Sequence, residues 1–379
     1  MHDGLLTVGS DWPEPPPAPR RPQYHALAVV FTVAVVAAAV LASILVYSAV
    51  RGPAAPASPS ASLPTSTLAA RVDPGLVDVT AILGYQQAIS AGTGIVLTPS
   101  GRVITNNHVI EGATSVTVTD VGDHRTYAAA VVGYDQGADI AVLQLAAASG
   151  LKTVSLSAAS AVTVGEKVLA LGNAQGQGGT PAVATGTITA LGQPVTATDR
   201  SAGISEQLTG LIQTSVPLQP GDSCGPLDSP AGQEIGMNTA ESSQFQIGSG
   251  AAQGFAIPAG QAAPIAAAIA AGRASAAVHI GATAFLGVQV VSYGVPVPGN
   301  PATGGAGVVG ITPGTPTARA GLVSGDVIVS IGGHAVTSAM SLRSVIETYH
   351  PGDTASLHWA DQGGQAYTAT IVFAAGPAG

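Results

Sequence analysis

A single cysteine in 379 residues leaves no partner for an intrachain disulfide and excludes Cys-rich zinc modules. Charge is scarce as well: 9% of residues are Asp, Glu, Lys or Arg, and 12 basic against 21 acidic residues give a net charge of −9. No basic stripe interrupts that acidic balance, so the electrostatic footprint of a nucleic-acid binder is missing and no nucleic-acid partner is expected. Low charge beside 46% hydrophobic residues excludes a highly charged disordered chain, and 49 glycines and 27 prolines without a three-residue period exclude collagen. There is no Walker loop, Rossmann fingerprint or calcium loop. His279, His334, His350 and His358 lack metal-ligand spacing, so neither a cofactor nor a metal is expected.

The chain is long enough for two folded units. Residues 1–25 are Pro-rich and read as a disordered tail. Ala26–Val50 carries no charge over 25 residues, enough for a helix to cross a bilayer with some tilt and longer than the core of a cleaved signal peptide. Arg20 and Arg21 precede the run and Arg51 follows it, which places the N-terminus in the cytoplasm and everything after Arg51 outside. The alternative is secretion after cleavage in the Ala/Pro-rich stretch that follows. Residues 51–72 read as a Pro/Ala/Ser tether that holds a domain off the membrane.

From residue 73 to about 275 short Val/Ile/Thr runs recur between glycines, several alternating with period two, as half-buried strands do. Many short strands at regular spacing predict a barrel or sandwich. Helical periodicity is scarce until PIAAAIAAGRA, residues 264–274. A second β-rich unit occupies 278–379, with a helix near Ser338–Tyr349 and a final hairpin turning at Asp361–Gly364.

Serine-dependent peptide hydrolysis requires a nucleophile, a base, a carboxylate that orients the base, and N–H donors for the oxyanion. Ser223 lies in Gly221-Asp222-Ser223-Cys224-Gly225, a glycine-flanked turn that can aim the N–H groups of Gly221 and Ser223 at one point. His108 follows a strand-like segment in TNNHVI. Asp139 opens the strand DIAVLQL, with Asp135 as a rival carboxylate. Each residue alone reads as an ordinary turn or surface residue. Their order His–Asp–Ser is the chymotrypsin order and differs from those of subtilisin and the α/β-hydrolases.

With TNNHVIEGA, DIAVLQL, GDSCGPL, EIGMNTA and GFAIP in this order over residues 90–258, the chain resembles the HtrA/Deg-type serine proteases. That resemblance implies a mainly β fold: a chymotrypsin-like double β-barrel protease domain, then a small α+β PDZ domain, preceded here by one transmembrane helix. It implies His108 as general base, Asp139 as its orienting partner in preference to Asp135, and Ser223 as nucleophile, with Gly221 and Ser223 as oxyanion hole. Asn238, Thr239 and Ala240 are expected to offer backbone to an extended substrate. No acid lies in Ser215–Pro220, so small or medium apolar side chains are expected before the scissile bond. Phe285-Leu286-Gly287-Val288 resembles the carboxylate-binding loop of PDZ domains, and 311–336 resembles the PDZ core, implying protein C-termini with an apolar last residue as ligands.

Two departures stand out. Cys224 replaces the usual glycine, which is costly if the position needs positive φ. Asp222 replaces the usual asparagine, and the sequence does not indicate what it contacts. The expected function is therefore a membrane-anchored, ATP-independent endopeptidase acting on misfolded or regulated envelope proteins. A catalytically impaired PDZ adaptor or chaperone on a protease fold is the alternative. The family's trimers raise a homotrimer here, although the segment before the protease domain is short and poor in aromatics, Tyr85 being one of few.

Overall fold

The computed structural model describes residues 64–156, 162–199, 204–241, 253–296 and 303–378. The expected cytoplasmic tail, the membrane helix at 26–50 and the tether up to residue 63 lie outside the described residues. No helix among the described residues is long and apolar enough to cross a membrane.

The tether was expected to reach residue 72, but Thr65–Val72 forms a helix, α1. Its apolar positions explain why: Leu68 and Val72 are four apart, share one face and are buried with Ala69. Burying side chains of that size contributes about 1.5–3 kcal/mol each, which outweighs the mediocre helix propensity of the threonines.

Six antiparallel strands then close a first barrel: β1 (Leu76–Leu83), β2 (Ala88–Thr98), β3 (Arg102–Thr105), β4 (Ser115–Asp120), β5 (Thr126–Asp135) and β6 (Ile140–Leu145). The order β5-β4-β1-β2-β3-β6 is closed by pairing of β6 with β5. A one-turn helix α2 (Asn107–Ile110) follows β3. A second closed barrel runs β10-β11-β12-β9-β8-β7, from β7 (Lys167–Gly172), β8 (Ala182–Asp199), β9 (Ile204–Thr214), β10 (Pro226–Asp228), β11 (Glu234–Glu241) and β12 (Gly254–Pro258). The alternation read in the sequence is the inside–outside alternation of these barrels. Leu76, Ile104 and Ile140 of the first barrel meet Leu171, Met237 and Phe255 of the second in one buried cluster. That cluster fixes the two barrels against each other and leaves the loops at the junction face to face.

Helix α3 (Ala259–Ala270) begins five residues before the predicted start. Pro264, at the predicted start, sits inside the helix. Ala262, Ala266 and Ile269 bury the opposite flank. A short strand β13 (His279–Ile280) then adds to β5. The last unit has β14 (Ala284–Phe285), β15 (Val288–Pro296), β16 (Thr303–Ile311), helix α4 (Pro316–Ala320), β17 (Val327–Ile331), β18 (His334–Ala335), helix α5 (Ala339–Ile346), β19 (Thr354–Ala360), β20 (Ala366–Val372) and β21 (Ala374–Ala375). Its sheet runs β15-β16-β17-β19-β20. Helix α5 starts where the sequence predicts: Ser338 accepts the Ser341 N–H and Ser341 reciprocates on the Ser338 N–H, a capping box.

Directly after the Ser223 loop, Asp228 on β10 and Glu234 on β11 stand opposite each other, 1% and 3% exposed. Their four carboxylate oxygens take no hydrogen bond from the described residues. Burial pushes Asp228 up to about 7, with Arg71 acting weakly against it, and pushes Glu234 well above its ordinary value. In the unfolded chain both ionise near pH 4. Between about pH 4 and pH 7 the unfolded state sheds protons that the folded state keeps, so this pair lowers stability as pH rises. The variant Asp228→Asn/Glu234→Gln is expected to lose that slope, so that its stability relative to the wild type is greater at pH 8 than at pH 5. Denaturant melts at pH 5 and pH 8 check this; parallel pH profiles would contradict it.

Candidate active site

The junction of the barrels gathers residues from three distant segments. His108 sits on α2, whose single turn projects the imidazole toward the second barrel, and its Nδ1 lies 2.8 Å from Oδ2 and 3.0 Å from Oδ1 of Asp139. The other ring nitrogen, Nε2, lies 3.0 Å from Ser223 Oγ. With Nδ1–H donating to the carboxylate, Nε2 is left as acceptor for the serine hydroxyl.

Asp139 is fixed from several sides. Its backbone has a left-handed φ of 55°, and the residue is 5% exposed. The His108 backbone N–H donates to Oδ1 at 3.0 Å, Asn106 Nδ2 donates to the Asp139 carbonyl at 3.0 Å, and the Thr239 hydroxyl donates to Oδ2. These bonds leave the carboxylate aimed at the imidazole. Asp135, the rival carboxylate, supports the backbone instead. Its Oδ1 accepts the Ala138 N–H at 3.0 Å and shapes the turn that delivers Asp139.

Of the residues expected to pair with substrate, Asn238, Thr239 and Ala240, the structure engages the backbone of the first within the fold. The Asn238 N–H donates to the Gly225 carbonyl at 2.8 Å and its carbonyl accepts the Cys224 N–H at 2.6 Å, so its backbone is consumed by the Ser223 loop. Ala240 pairs with Phe255 of β12, and a bulge lies between Asn238 and Ala240. The Thr239 side chain supports Asp139. The sequence held a signal for this only in the hydroxyl of EIGMNTA, with no indication of its target 100 residues away.

Gly221 has φ 96°, and a Cβ there would stand 2.1 Å from the Asn173 carbonyl oxygen, so only glycine fits. Cys224 does occupy a left-handed conformation, φ 67°. Its thiol is fully buried, donates to the Ile104 carbonyl at 3.3 Å and is pushed well up by burial. It packs into the inter-barrel core. Asp222 has a local partner in the Gln219 N–H, 2.9 Å from Oδ2.

In the last unit, Phe285–Val288 runs from β14 into β15. The carbonyl of Leu286 accepts from the Thr317 N–H and hydroxyl, and that of Gly287 accepts from the Thr312 N–H. Peptide planarity then turns the N–H groups of Gly287 and Val288 the opposite way, toward a groove of about 860 Å³ between β15 and α5. Leu342, Arg343 and Ile346 form its far wall, and His108 and Glu111 border it from the first barrel. The groove is held there by contacts the sequence did not announce. Arg343 pairs with Glu111 at 2.5 Å and with Glu347 at 3.2 Å, and Phe285 stacks on Tyr85 with ring centroids 5.1 Å apart.

Residues 92–237 match the Trypsin-like peptidase domain family and residues 284–364 match the PDZ domain family. The chain is 35% identical to Serine protease PepD of Mycobacterium tuberculosis over 336 residues, 84% of this chain and 68% of that protein. It is 31% identical to Serine protease Do-like HtrA of Lactococcus lactis over 293 residues, covering 73% of this chain and 69% of the relative. To Periplasmic serine endoprotease DegP of Escherichia coli it is 32% identical over 276 residues, covering 72% of this chain and 55% of DegP.

Because a buried thiol held as S–H is unreactive, iodoacetamide is expected to leave the native protein unmodified and to add one carbamidomethyl group at Cys224 after denaturation. Rapid native alkylation, read by intact mass, would contradict this packing.

Proposed function

The chain belongs to the trypsin-like serine proteases of the HtrA/Deg type that carry a C-terminal PDZ domain, and on that premise we propose the following mechanism and setting. Ser223 is the nucleophile, His108 its base and Asp139 the carboxylate that orients the base. The observation that carries this is the pair of contacts on one imidazole: Nδ1 at 2.8 Å from Asp139 and Nε2 at 3.0 Å from Ser223 Oγ.

In the acylation step Ser223 Oγ attacks the scissile carbonyl carbon while its proton passes to His108 Nε2. Asp139 stabilises the imidazolium without taking its proton. The N–H groups of Gly221 and Ser223 receive the developing oxyanion. When the C–N bond breaks, the imidazolium protonates the leaving amine. Water, activated by the same histidine, then hydrolyses the acyl-enzyme and restores the serine.

The groove beside β15 binds an extended peptide end by strand addition, with its carboxylate on the N–H groups after Leu286. The apolar Leu342 and Ile346 favour an apolar terminal residue. Substrates are misfolded or regulated polypeptides, cut after small or medium apolar residues. The uncharged run Ala26–Val50 supports an anchor with the N-terminus in the cytoplasm and both domains outside. The impaired-adaptor alternative rests on Cys224, whose side chain is buried in the inter-barrel core.

Casein incubated with membrane and soluble fractions from cells making the wild type or Ser223→Ala tests these statements together. Cleavage is expected in the membrane fraction with the wild type alone, with most cuts after small or medium apolar residues. Undiminished cleavage by Ser223→Ala would overturn the nucleophile. Activity confined to a soluble, shortened form would overturn the anchor, and cuts mainly after Arg would overturn the specificity.

A further inference from the structure

Four successive carbonyls in the Ser223 loop are each held by a donor. Pro220 O accepts the Gln175 N–H at 2.5 Å, and Asp222 O accepts the Gly225 N–H at 2.9 Å. Gly221 O accepts the Thr93 hydroxyl at 2.9 Å, and Ser223 O accepts the Thr93 N–H at 2.9 Å. In a trans peptide the N–H points opposite the carbonyl of the preceding residue. The bonds on Pro220 O and Asp222 O therefore set the directions of the Gly221 and Ser223 N–H groups.

One residue from the first barrel controls this pattern. Thr93 lies on β2 and is 1% exposed. Its hydroxyl donates to Gly221 O and also accepts the Asn173 N–H at 2.8 Å. Asn173 opens the tight turn whose Gln175, at a left-handed φ of 61°, holds Pro220 O. The same hydroxyl thus fixes one end of the Pro220–Gly221–Asp222 segment directly and the other through the Asn173–Gln175 turn. The Thr93 carbonyl accepts the Thr105 hydroxyl at 2.8 Å, which ties the arrangement to the strand that leads to His108. No second hydroxyl reaches Gly221 O among the described residues.

We propose that Thr93 is a positioning residue for the oxyanion hole: its hydroxyl and N–H hold the Gly221–Asp222 and Ser223–Cys224 peptides, the units that adjoin the two whose N–H groups face the reacting carbonyl. The inference rests on the reading of Ser223 as nucleophile. Removing the hydroxyl releases Gly221 O and loosens the Asn173–Gln175 turn that holds Pro220 O, so the Pro220–Gly221 peptide can rotate about Gly221, which has no side chain to oppose the turn. The loss then appears in the transition state, where the oxyanion needs its donors, and not in ground-state binding.

The test uses the full chain and a fluorogenic peptide cleaved by the wild type, with Thr93→Val, Thr93→Ala and Thr93→Ser. Losing one oxyanion donor outright costs about 10²–10³ in kcat, so an indirect loss in Thr93→Val is expected to cost roughly 10–100-fold, with KM within about twofold. Affinity for a peptide aldehyde, which mimics the tetrahedral intermediate, is expected to fall in parallel. Thr93→Ser is expected to restore kcat to within about threefold, a rescue that loss of packing alone would not give because serine lacks the methyl group. If Thr93→Val does not fold, Thr93→Ala carries the comparison. Unchanged kcat in the variants that lack the hydroxyl, or an equal loss in Thr93→Ser, overturns the inference while wild-type turnover leaves the protease reading standing. A wild type without turnover defeats the protease reading instead. Crystal structures then decide the loop: Pro220 and Gly221 carbonyls in their wild-type directions in Thr93→Ala would overturn the inference, and a rotated Pro220–Gly221 peptide would uphold it.

Discussion

The arrangement at the barrel junction depends on one buried carboxylate. Asp139 arrives on a turn shaped by Asp135 and receives the His108 backbone N–H, the His108 imidazole and the Thr239 hydroxyl. Those donors come from the helix that bears the histidine and from the second barrel. A carboxylate with that many directed donors has its lone pairs assigned and its rotamer fixed. The imidazole therefore keeps Nδ1 toward Asp139 and Nε2 toward Ser223, and the site stays ordered although its serine and histidine belong to separate β-barrels.

Around that centre the chain uses burial to hold loops and leaves some charge unsatisfied. Cys224 at positive φ and the opposed acids Asp228 and Glu234 flank the Ser223 loop on its core side. Both features cost stability, and both are carried by the apolar cluster between the barrels, which packs Leu171, Met237 and Phe255 against Leu76 and Ile104. The last unit is joined to the first barrel by different means: an added strand at His279–Ile280, an Arg343–Glu111 ion pair and a Tyr85–Phe285 stack. Glu111 lies three residues after His108, so helix α5, the far wall of the groove beside β15, touches the segment that carries His108.

Much of this was legible in the sequence, for identifiable reasons. Period-two alternation fixes the inner face of a strand, so the barrels were readable. His108, Asp139 and Ser223 each sit beside residues that build their local turns, so their identity travels with short motifs. Helix α5 was legible near Ser338, and the capping box that starts it is a local contact. What escaped depends on contacts distant in sequence. Thr93 and Thr239 are ordinary strand residues until folding sets them against Gly221 and Asp139. Asn238 reads as a free strand edge, but its backbone is taken by the loop it faces. The burial of Asp228 and Glu234 likewise depends on distant chain: β10 is a strand with every residue buried, and α1 approaches the hairpin at Gly232. That helix was itself missed because only Leu68 and Val72 distinguish it from the Pro/Ala/Ser tether.

The proposed relay from Asp139 through His108 to Ser223 is tested most directly by the rate of covalent labelling of the full chain with a fluorophosphonate, followed by intact mass and peptide mapping. The account predicts one adduct, on Ser223, and a rate that falls by about 10⁴ in Asp139→Asn, because an amide holds the imidazole in the wrong tautomer. Labelling of Ser223 at equal rates in both proteins, or an adduct elsewhere, would contradict it.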